Sequence, residues 1–267
     1  MNTKPISLDQ PLARGRTADA FEWDDGHILK LFHNWFPLED IEYEMKIARA
    51  VYDSGVKSPA VHELVQVQGR NGLVYERVRG ESMLAMFQRK PWLAFTYART
   101  FARLHAQMHE CVIDADVPKQ HRRLQSKIRD ANALPVLVKA SLLRSLEEMP
   151  DGDRVCHGDF HPANVLLSES DSTIIDWIDA SRGNPAADVA RTSIILLGAL
   201  ANKQIRNPLM RIFIRFFHRT YLREYTRLHG LDEFEYRRWL PIVAGARLSE
   251  NIPELEKWLV QQAKRKP

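Results

Sequence analysis

A ten-residue stretch, CHGDFHPANV at positions 156–165, constrains this chain more than any other. It places an acid, Asp159, five residues before an amide, Asn164, so one tight turn can present both side chains to the same ligand. The segment Val165–Ile175 then predicts two short strands joined by a polar hairpin, which returns the chain toward this turn. A second acid, Asp176, follows the hairpin, and an amide combined with a carboxylate suits Mg²⁺.

The spacing of His157, Asp159 and Asn164 is that of a kinase catalytic loop. The sequence HGDFHPANVL, followed by IIDWIDASRGNPAADVAR, resembles the aminoglycoside phosphotransferase family, also described as the choline kinase-like branch of the protein-kinase fold. A bare HxD occurs often by chance. Here it is followed by a correctly spaced Asn, a strand, an Asp-Trp pair and a later Asp188, which together form a compound signal over residues 156–191.

The resemblance implies phosphoryl transfer, with Asp159 as the catalytic residue that aligns and deprotonates an acceptor hydroxyl. It implies that Asn164 and Asp176 hold Mg²⁺ on the phosphates of ATP. His157 and Asp188 are expected to support the loop through hydrogen bonds and to take no part in the chemistry. The choice between ATP and GTP stays open, as does the identity of the acceptor.

The same resemblance implies an α+β, protein-kinase-like fold with two lobes. We expect a small β-rich N-terminal lobe over residues 1–80, which binds the nucleotide. A larger, mostly helical C-terminal lobe over residues 81–267 would carry the catalytic loop and the acceptor site. Short strand-like segments, Leu12–Arg16, Ala20–Trp23 and His27–Leu31, are separated by turn residues and support this expectation.

Lys30 lies inside the apolar segment ILKLF. A lysine there costs free energy unless its amine meets an anion, and the resemblance assigns it to the α and β phosphates of the nucleotide. A solvated lysine on an edge strand is the alternative. The helical pattern of LEDIEYEMKIARAVYDSG carries the acid expected to orient this lysine; Glu44 is preferred and Glu42 is the alternative.

The loop expected to cover the phosphates departs from the kinase pattern. Kinases place several glycines there, whereas GRTADAF offers Gly15 alone. Backbone amides of residues 16–18 could still reach a phosphate. Further on, GLVYERV reads as the strand that leads into the hinge between the lobes, where the backbone of Glu76 and Val78 would hydrogen-bond the adenine edge.

Three other polar residues allow two interpretations. Asp179 could be a second metal contact, although its position is equally met by a surface turn. His105 and His109 lie four residues apart on a predicted helix, a spacing that could hold a metal. A packing role is favoured for both histidines because no Cys or third His accompanies them in a suitable pattern.

Charge bears on the acceptor. The chain has a formal net charge of +4, and a polycationic aminoglycoside is expected to meet a cleft rich in carboxylates. We therefore do not favour an aminoglycoside kinase, although Glu250 and Asn251 could line an acceptor pocket and keep that alternative open. Four arginines repeat every fourth residue and predict one basic helix face, either solvated or facing an anionic partner: Arg211, Arg215, Arg219 and Arg223.

Composition narrows the remaining classes. Two cysteines give no disulfide framework, the first ten residues lack the apolar core of a signal peptide, and no apolar run approaches a membrane span, so we expect a cytoplasmic protein without membrane contact. Basic residues are not interleaved with aromatic stacking platforms, which disfavours nucleic acid as a partner. A nucleotide-binding pseudokinase or scaffold is the rival class, disfavoured because every residue assigned to the chemistry is present.

Overall fold

A computed structural model describes residues 8, 10–113, 117–168, 171–202, 205 and 207–265. Residues 1–7, part of the segment judged to lack a signal peptide, lie outside the described residues. The chain divides into two compact units. Residues 1–80 and 166–178 form the first unit, and residues 81–165 and 179–267 form the second.

Strands and helices follow one another along the chain as their sequence patterns suggest. The strands are β1 (Ala13–Arg14), β2 (Ala18–Glu22), β3 (His27–Phe32), β4 (Val61–Val67), β5 (Arg70–Glu76), β6 (Glu81–Ser82), β7 (Arg154–Cys156), β8 (Val165–Leu167), β9 (Ser172–Ile174) and β10 (Ser181–Gly183). The helices are α1 (Leu38–Asp53), α2 (Met83–Arg89), α3 (Ala94–Glu110), α4 (Gln120–Asp130), α5 (Val136–Glu147), α6 (Pro185–Ala201), α7 (Pro208–His229), α8 (Glu233–Arg247) and α9 (Pro253–Ala263). Short 3₁₀ turns cover Pro91–Leu93, Pro162–Asn164 and Leu248–Glu250.

The first unit is built on an antiparallel five-stranded sheet in the order β1-β2-β3-β5-β4. Strand β3 alternates in the way expected for a strand that is covered on both faces. Leu29 and Leu31 pack on one side, whereas Phe32 packs on the other side with Ile41 of α1. Lys30 shares the side of Phe32, so the alternation alone turns its amine toward α1.

The second unit is mostly helical, with α3 packed against α7 and α8 packed against both α6 and α9. Strands β7 and β10 pair antiparallel, with Cys156 opposite Ser181. The loop that follows β7 is anchored by Phe160, whose ring stacks on Phe101 of α3 with 4.2 Å between centroids. Burying this aromatic ring draws the loop onto the helical core.

Helix α6 begins with a strong start signal. Asn184 precedes it, and its side chain accepts a hydrogen bond from the Ala186 amide, while Pro185 occupies the first helical position. This start fixes where Asp188 lies, in the first turn of the helix. Within the described ranges, every helix is too short or too polar to span a bilayer.

Candidate active site

The loop after β7 is held by the carboxylate of Asp188. Its Oδ2 accepts a hydrogen bond from the His157 amide at 2.7 Å, and its Oδ1 accepts one from the Gly158 amide at 2.9 Å. The imidazole Nδ1 of His157 in turn accepts a hydrogen bond from the Asp159 amide at 3.2 Å. Gly158 has a φ of 76°, and a Cβ there would lie 2.4 Å from the Asp179 carbonyl oxygen, so this position requires glycine.

Asp159 presents an ionised carboxylate. Its side chain is 33% exposed, with His161 Nε2 3.3 Å from Oδ2 and Arg191 Nη2 3.7 Å from Oδ1. Burial raises the pKa of Asp159, but the hydrogen bond from His161 and the charge of Arg191 outweigh it and hold the pKa well below its usual range. The group is therefore a hydrogen-bond acceptor at neutral pH, as a residue that orients a hydroxyl must be.

Asn164 closes the loop with its amide group. It is buried, and its Nδ2 donates a hydrogen bond to the backbone carbonyl of Asp159 at 3.1 Å. This bond fixes the orientation of the side-chain amide. The 3₁₀ turn Pro162–Asn164 starts on His161, whose Nδ1 accepts a hydrogen bond from the Ala163 amide at 3.3 Å.

In the first unit, the amine of Lys30 lies between two acids. Nζ donates a hydrogen bond to Glu44 Oε1 at 2.6 Å and lies 3.4 Å from Asp176 Oδ1. Tyr75 also donates its hydroxyl to Glu44 Oε1, at 3.0 Å. Burial lowers the pKa of Lys30, but the two carboxylates outweigh it and raise that pKa above its ordinary value. Of the two acids considered on α1, Glu44 contacts the lysine, while Glu42 is exposed.

Asp176 follows β9 in a left-handed conformation, with a φ of 67°. Few residues other than glycine adopt this region, and such residues cluster at functional sites. Its side chain is 45% exposed and points one carboxylate oxygen at Lys30. The hairpin of β8 and β9 therefore delivers an acid to the lysine of β3 within the first unit.

Gly15 lies in the tight connection between β1 and β2. Its amide donates to the Ala18 carbonyl at 2.9 Å, and a Cβ would lie 2.7 Å from that oxygen. At the far end of β5, the Glu76 amide is already donated to the Ala60 carbonyl at 2.8 Å, so only its carbonyl is left for a ligand. Val78 lies just beyond β5 in an irregular, half-buried segment.

The two histidines of α3 surround the other side of Asp188. His105 Nε2 and His109 Nε2 donate to Asp188 Oδ2 at 3.1 and 3.3 Å. Their Nδ1 atoms accept hydrogen bonds from the hydroxyls of Tyr221, at 2.8 Å, and Tyr225, at 2.6 Å. Burial and the neighbouring His109 lower the pKa of His105 to about 3, so the imidazole is neutral.

His105, His109 and Asp188 each place one nitrogen or oxygen atom within 4.8 Å of those of the other two, as metal ligands would. Every imidazole nitrogen of the pair nevertheless has a hydrogen-bond partner in this network, which is the behaviour of a satisfied polar core. Asp188, the partner of both histidines, lies about 80 residues further along the chain, so no spacing in the sequence links them. Two histidines on the apolar face of a helix nevertheless predict a buried hydrogen-bond acceptor nearby, because a buried N–H without a partner costs free energy.

Asp179 forms ion pairs with two cations of α4. Its Oδ1 lies 2.7 Å from Arg123 Nη2 and 2.8 Å from Lys127 Nζ. Burial raises the pKa of Asp179, but these cations outweigh it and lower that pKa below its usual value. The carboxylate is thus engaged by side chains of α4, the arrangement expected of an acid that anchors a turn.

Glu250 and Asn251, predicted to line an acceptor pocket, lie in and after the last 3₁₀ turn. Glu250 accepts a hydrogen bond from Arg191 Nη2, and the same Nη2 lies 3.7 Å from Asp159 Oδ1. Arg191 therefore links Glu250 to Asp159 in space. Asn251 ends the turn at a φ of 51°, and its side chain donates to the Ser249 carbonyl at 3.1 Å. Along α7, three of the four spaced arginines are exposed and Arg211 is half-buried.

Comparison with solved structures identifies the fold that carries these side chains. An aminoglycoside-3′-phosphotransferase of type VIII matches with a TM-score of 0.63 and 20% identity, over 92% of this chain and 94% of that one. An amicoumacin kinase solved with AMP-PNP and Ca²⁺ matches with a TM-score of 0.62 and 17% identity, over 96% and 89%. A macrolide 2′-phosphotransferase from Brachybacterium faecium matches with a TM-score of 0.52 and 15% identity, over 95% and 90%.

These likenesses confirm the predicted class, a protein-kinase-like α+β fold with a small sheet-based N-terminal region and a mostly helical remainder. The sequence itself gives the family. Residues 10–240 match the model of the phosphotransferase enzyme family, APH, so the chain belongs to that family and is a phosphotransferase, as its motifs predict. A comparison with curated proteins found no match.

Proposed function

We propose that this protein is a small-molecule kinase that transfers the γ-phosphoryl group of ATP, with Mg²⁺, to a hydroxyl of its acceptor. The observation that carries the proposal is the position of Lys30, whose half-buried side chain is held by Glu44 at 2.6 Å and approached by Asp176 at 3.4 Å. A structural ion pair would need only one of these acids. A lysine fixed in position and charge by two carboxylates suits the binding of nucleotide phosphates.

The residues assigned to Mg²⁺ are Asn164 and Asp176. Their donor set, one amide oxygen and one carboxylate, fits a hard cation that keeps several waters and shares phosphate oxygens. The hydrogen bond from Asn164 Nδ2 to the Asp159 carbonyl supports this assignment, because it leaves the amide oxygen as the atom available to a ligand. When bound, Mg²⁺ would supply positive charge that offsets the negative charge developing on the phosphate oxygens.

Asp159 would receive the acceptor hydroxyl and take its proton while the hydroxyl oxygen bonds to the γ-phosphorus and the bond to the ADP oxygen breaks. Most of the rate enhancement in phosphoryl transfer comes from position and electrostatics. The support from Asp188 and His157 is therefore valuable because it fixes the loop before the substrate arrives. Gly15, Glu76 and Val78 would meet the nucleotide through their backbone.

The solved structures of similar fold support the use of a nucleotide and a divalent cation, but not a particular acceptor. The amicoumacin kinase is solved with a nucleotide analogue and a divalent cation. Its acceptor differs from those named for the aminoglycoside and macrolide enzymes, so the fold leaves the acceptor of this chain open. Cys111 and Cys156 are free thiols, which supports action in the reducing cytoplasm.

The test is acceptor-dependent ADP release with MgATP across sugars, amino alcohols, hydroxy acids, nucleosides and antibiotics. We expect Asp159→Asn to lower kcat by about 10²–10⁴-fold and to leave nucleotide binding nearly unchanged, because the residue acts on the hydroxyl. Asp153→Asn, at an exposed acid of the same unit, is the matched control and should retain activity.

A variant Asp159→Asn as active as wild type would refute the role of Asp159. Failure of MgATP to raise the melting temperature of the wild type would refute the kinase itself and favour a scaffold. A rise in melting temperature without turnover in the panel would place the fault in the choice of acceptors.

A further inference from the structure

Two guanidinium groups share a single carboxylate next to Asp159. Arg191 of α6 donates from Nε to the Gly158 carbonyl at 2.9 Å, and its Nη2 reaches both Glu250 and, at 3.7 Å, Asp159. Arg247, the last residue of α8, lies with its Nε 3.5 Å from the other oxygen of Glu250. Glu250 is thus shared: Arg191 donates a hydrogen bond to one of its oxygens, whereas Arg247 lies at ion-pair distance from the other without donating one.

Arg247 is poorly satisfied for a buried cation. It is only 9% exposed, and neither Nε nor Nη1 makes a hydrogen bond to any residue that the structure describes. Burial, together with the charge of Arg191, lowers the pKa of Arg247 to about 10. Buried polar groups without partners are rare in folded proteins and point to strain, to function or to a missing ligand.

A structural arginine in the same chain behaves differently. Arg70, also largely shielded from solvent, donates from Nε to the Phe32 carbonyl at 2.9 Å and from Nη2 to the Leu31 carbonyl at 3.1 Å. Arg70 also lies 3.7 Å from an acid, Asp19. Arg247 lacks this backbone pairing, so a role limited to bracing the fold does not account for it.

The other cations beside the loop each have an acidic partner within hydrogen-bond distance. Arg123 and Lys127 are both committed to Asp179, and Arg191 is committed to Glu250 and Asp159. Among these cations, Arg247 is the one whose nearest acid, Glu250, at the same time accepts a hydrogen bond from Arg191.

The surface beside these groups is open to solvent within the second unit, since the side chains of Asp159 and Glu250 are 33% and 24% exposed. We propose that Arg191 and Arg247 form a subsite for an anionic group of the acceptor, a carboxylate or a phosphate ester, beside the hydroxyl that Asp159 receives. Arg247 turns toward this group and gains an acceptor for the nitrogens, Nε and Nη1, that make no hydrogen bond without it. The inference rests on the proposed kinase function and names its substrate class, a hydroxylated acid or phosphate ester.

The subsite changes the role expected for Glu250. That residue holds the two guanidinium groups in place and acts through them, while the arginines make the contact. A polycationic aminoglycoside would meet positive charge at this point. Such an acceptor is disfavoured by the same argument that favours an anionic one.

The experiment measures binding without turnover, so that it stands apart from the kinase test. Melting temperatures are recorded at fixed ionic strength with millimolar malonate or glycerol 3-phosphate, and with their neutral counterparts malonamide and glycerol. We expect at least one anion, and neither neutral compound, to raise the melting temperature of the wild type by about 2 °C or more. The response to malonate or to glycerol 3-phosphate tells the carboxylate from the phosphate ester.

Arg247→Gln should lose that shift, and Arg247→Lys should keep part of it because the charge remains. Arg237→Gln, on the exposed side of the same helix, is the matched control and should respond like the wild type. With an anionic acceptor found in the panel, Arg247→Gln should raise KM by about tenfold or more, with a smaller change in kcat.

Equal shifts in the wild type and in Arg247→Gln would overturn the proposal, as would no shift with either anion. So would a melting temperature of Arg247→Gln far below that of the wild type, because removing a buried charge whose donors make no hydrogen bonds, and whose acid keeps Arg191, should leave stability unchanged or higher. If kinase activity fails while the anion shift depends on Arg247, the subsite stands and the proposed reaction falls.

Discussion

Two buried carboxylates, Glu44 in the first unit and Asp188 in the second, are held in opposite ways. Glu44 accepts hydrogen bonds from a charged amine, Lys30, and from one hydroxyl, Tyr75. Asp188 accepts four hydrogen bonds from neutral donors, two backbone amides and two imidazoles. The amine that donates to Glu44 has further N–H donors and a charge that a ligand can also use. The four donors to Asp188 each give their single N–H to this carboxylate, so none is left for a ligand.

The difference is the one expected if Lys30 binds a ligand, as proposed, and Asp188 supports the loop. Lys30 keeps its charge between two acids and stays able to meet phosphate. Asp188 has no capacity left for a substrate, and burial, which raises its pKa, is outweighed by the two histidines, so its pKa lies well below the usual range. The number of hydrogen bonds to a buried carboxylate therefore does not mark it as catalytic. What matters is whether one of its hydrogen-bond donors can also contact a ligand.

The largest effect expected from this comparison is on folding. Asp188→Asn turns an acceptor of four hydrogen bonds into a group that also donates, and we expect it to lower the free energy of unfolding by about 4 kcal/mol. Urea denaturation followed by circular dichroism measures this loss. Asp171→Asn, at an exposed acid, should change stability by no more than about 0.5 kcal/mol. A similarly small loss for Asp188→Asn would mean that the network is not structural.

A smaller and repairable effect is expected at the other carboxylate. Lys30→Met strands Glu44 in a buried site and should cost about 2 kcal/mol of stability, together with most of the nucleotide affinity. Adding Glu44→Gln should recover the stability, because the buried charge is gone, but not the affinity. Denaturation and nucleotide titration of the single and double variants measure the two quantities. Recovery of both would show that Lys30 serves Glu44 alone.

The smallest effect is the pH dependence of stability. His105 has its pKa lowered to about 3 by burial and by His109, so it takes up a proton near pH 6.5 when unfolded but not when folded. Stability is therefore complete above about pH 6.5 and falls as pH drops toward 3, by about 1.4 kcal/mol per pH unit for each such histidine. Denaturation between pH 7 and 5 measures the slope. His62→Gln, at an exposed histidine, should leave it unchanged, whereas a flat profile in the wild type would contradict the buried neutral pair.

The sequence predicts the first of these sites well because its determinants are local. Strand alternation turns Lys30 toward α1, and Glu44 lies three residues after the buried Ile41, on the apolar stripe of the helix. The same periodicity, applied strictly, excludes Glu42. Fold class and family follow from the long compound motif, and four strands of the sheet, β1, β2, β3 and β5, are predicted to within two residues, whereas β4 is not predicted.

The second site escapes prediction because its partners are remote. His105 meets Tyr221 and His109 meets Tyr225 across 116 residues, and Arg191 meets Glu250 across 59. No spacing rule connects such positions, since α3, α6, α7 and the turn after α8 come together only through helix packing. Sequence spacing favours a packing role for the histidines, but their hydrogen bonds to Asp188 depend on contacts that a single sequence does not display.

The support from Asp188 also bears on hydrogen exchange. The amides of His157 and Gly158 belong to no strand or helix, yet both donate to a carboxylate that is 1% exposed. Exchange of such protons requires opening of the core, because solvent cannot reach the acceptor without it. We therefore expect the His157 and Gly158 amides, although they lie in an irregular segment, to exchange as slowly as amides of the hydrophobic interior.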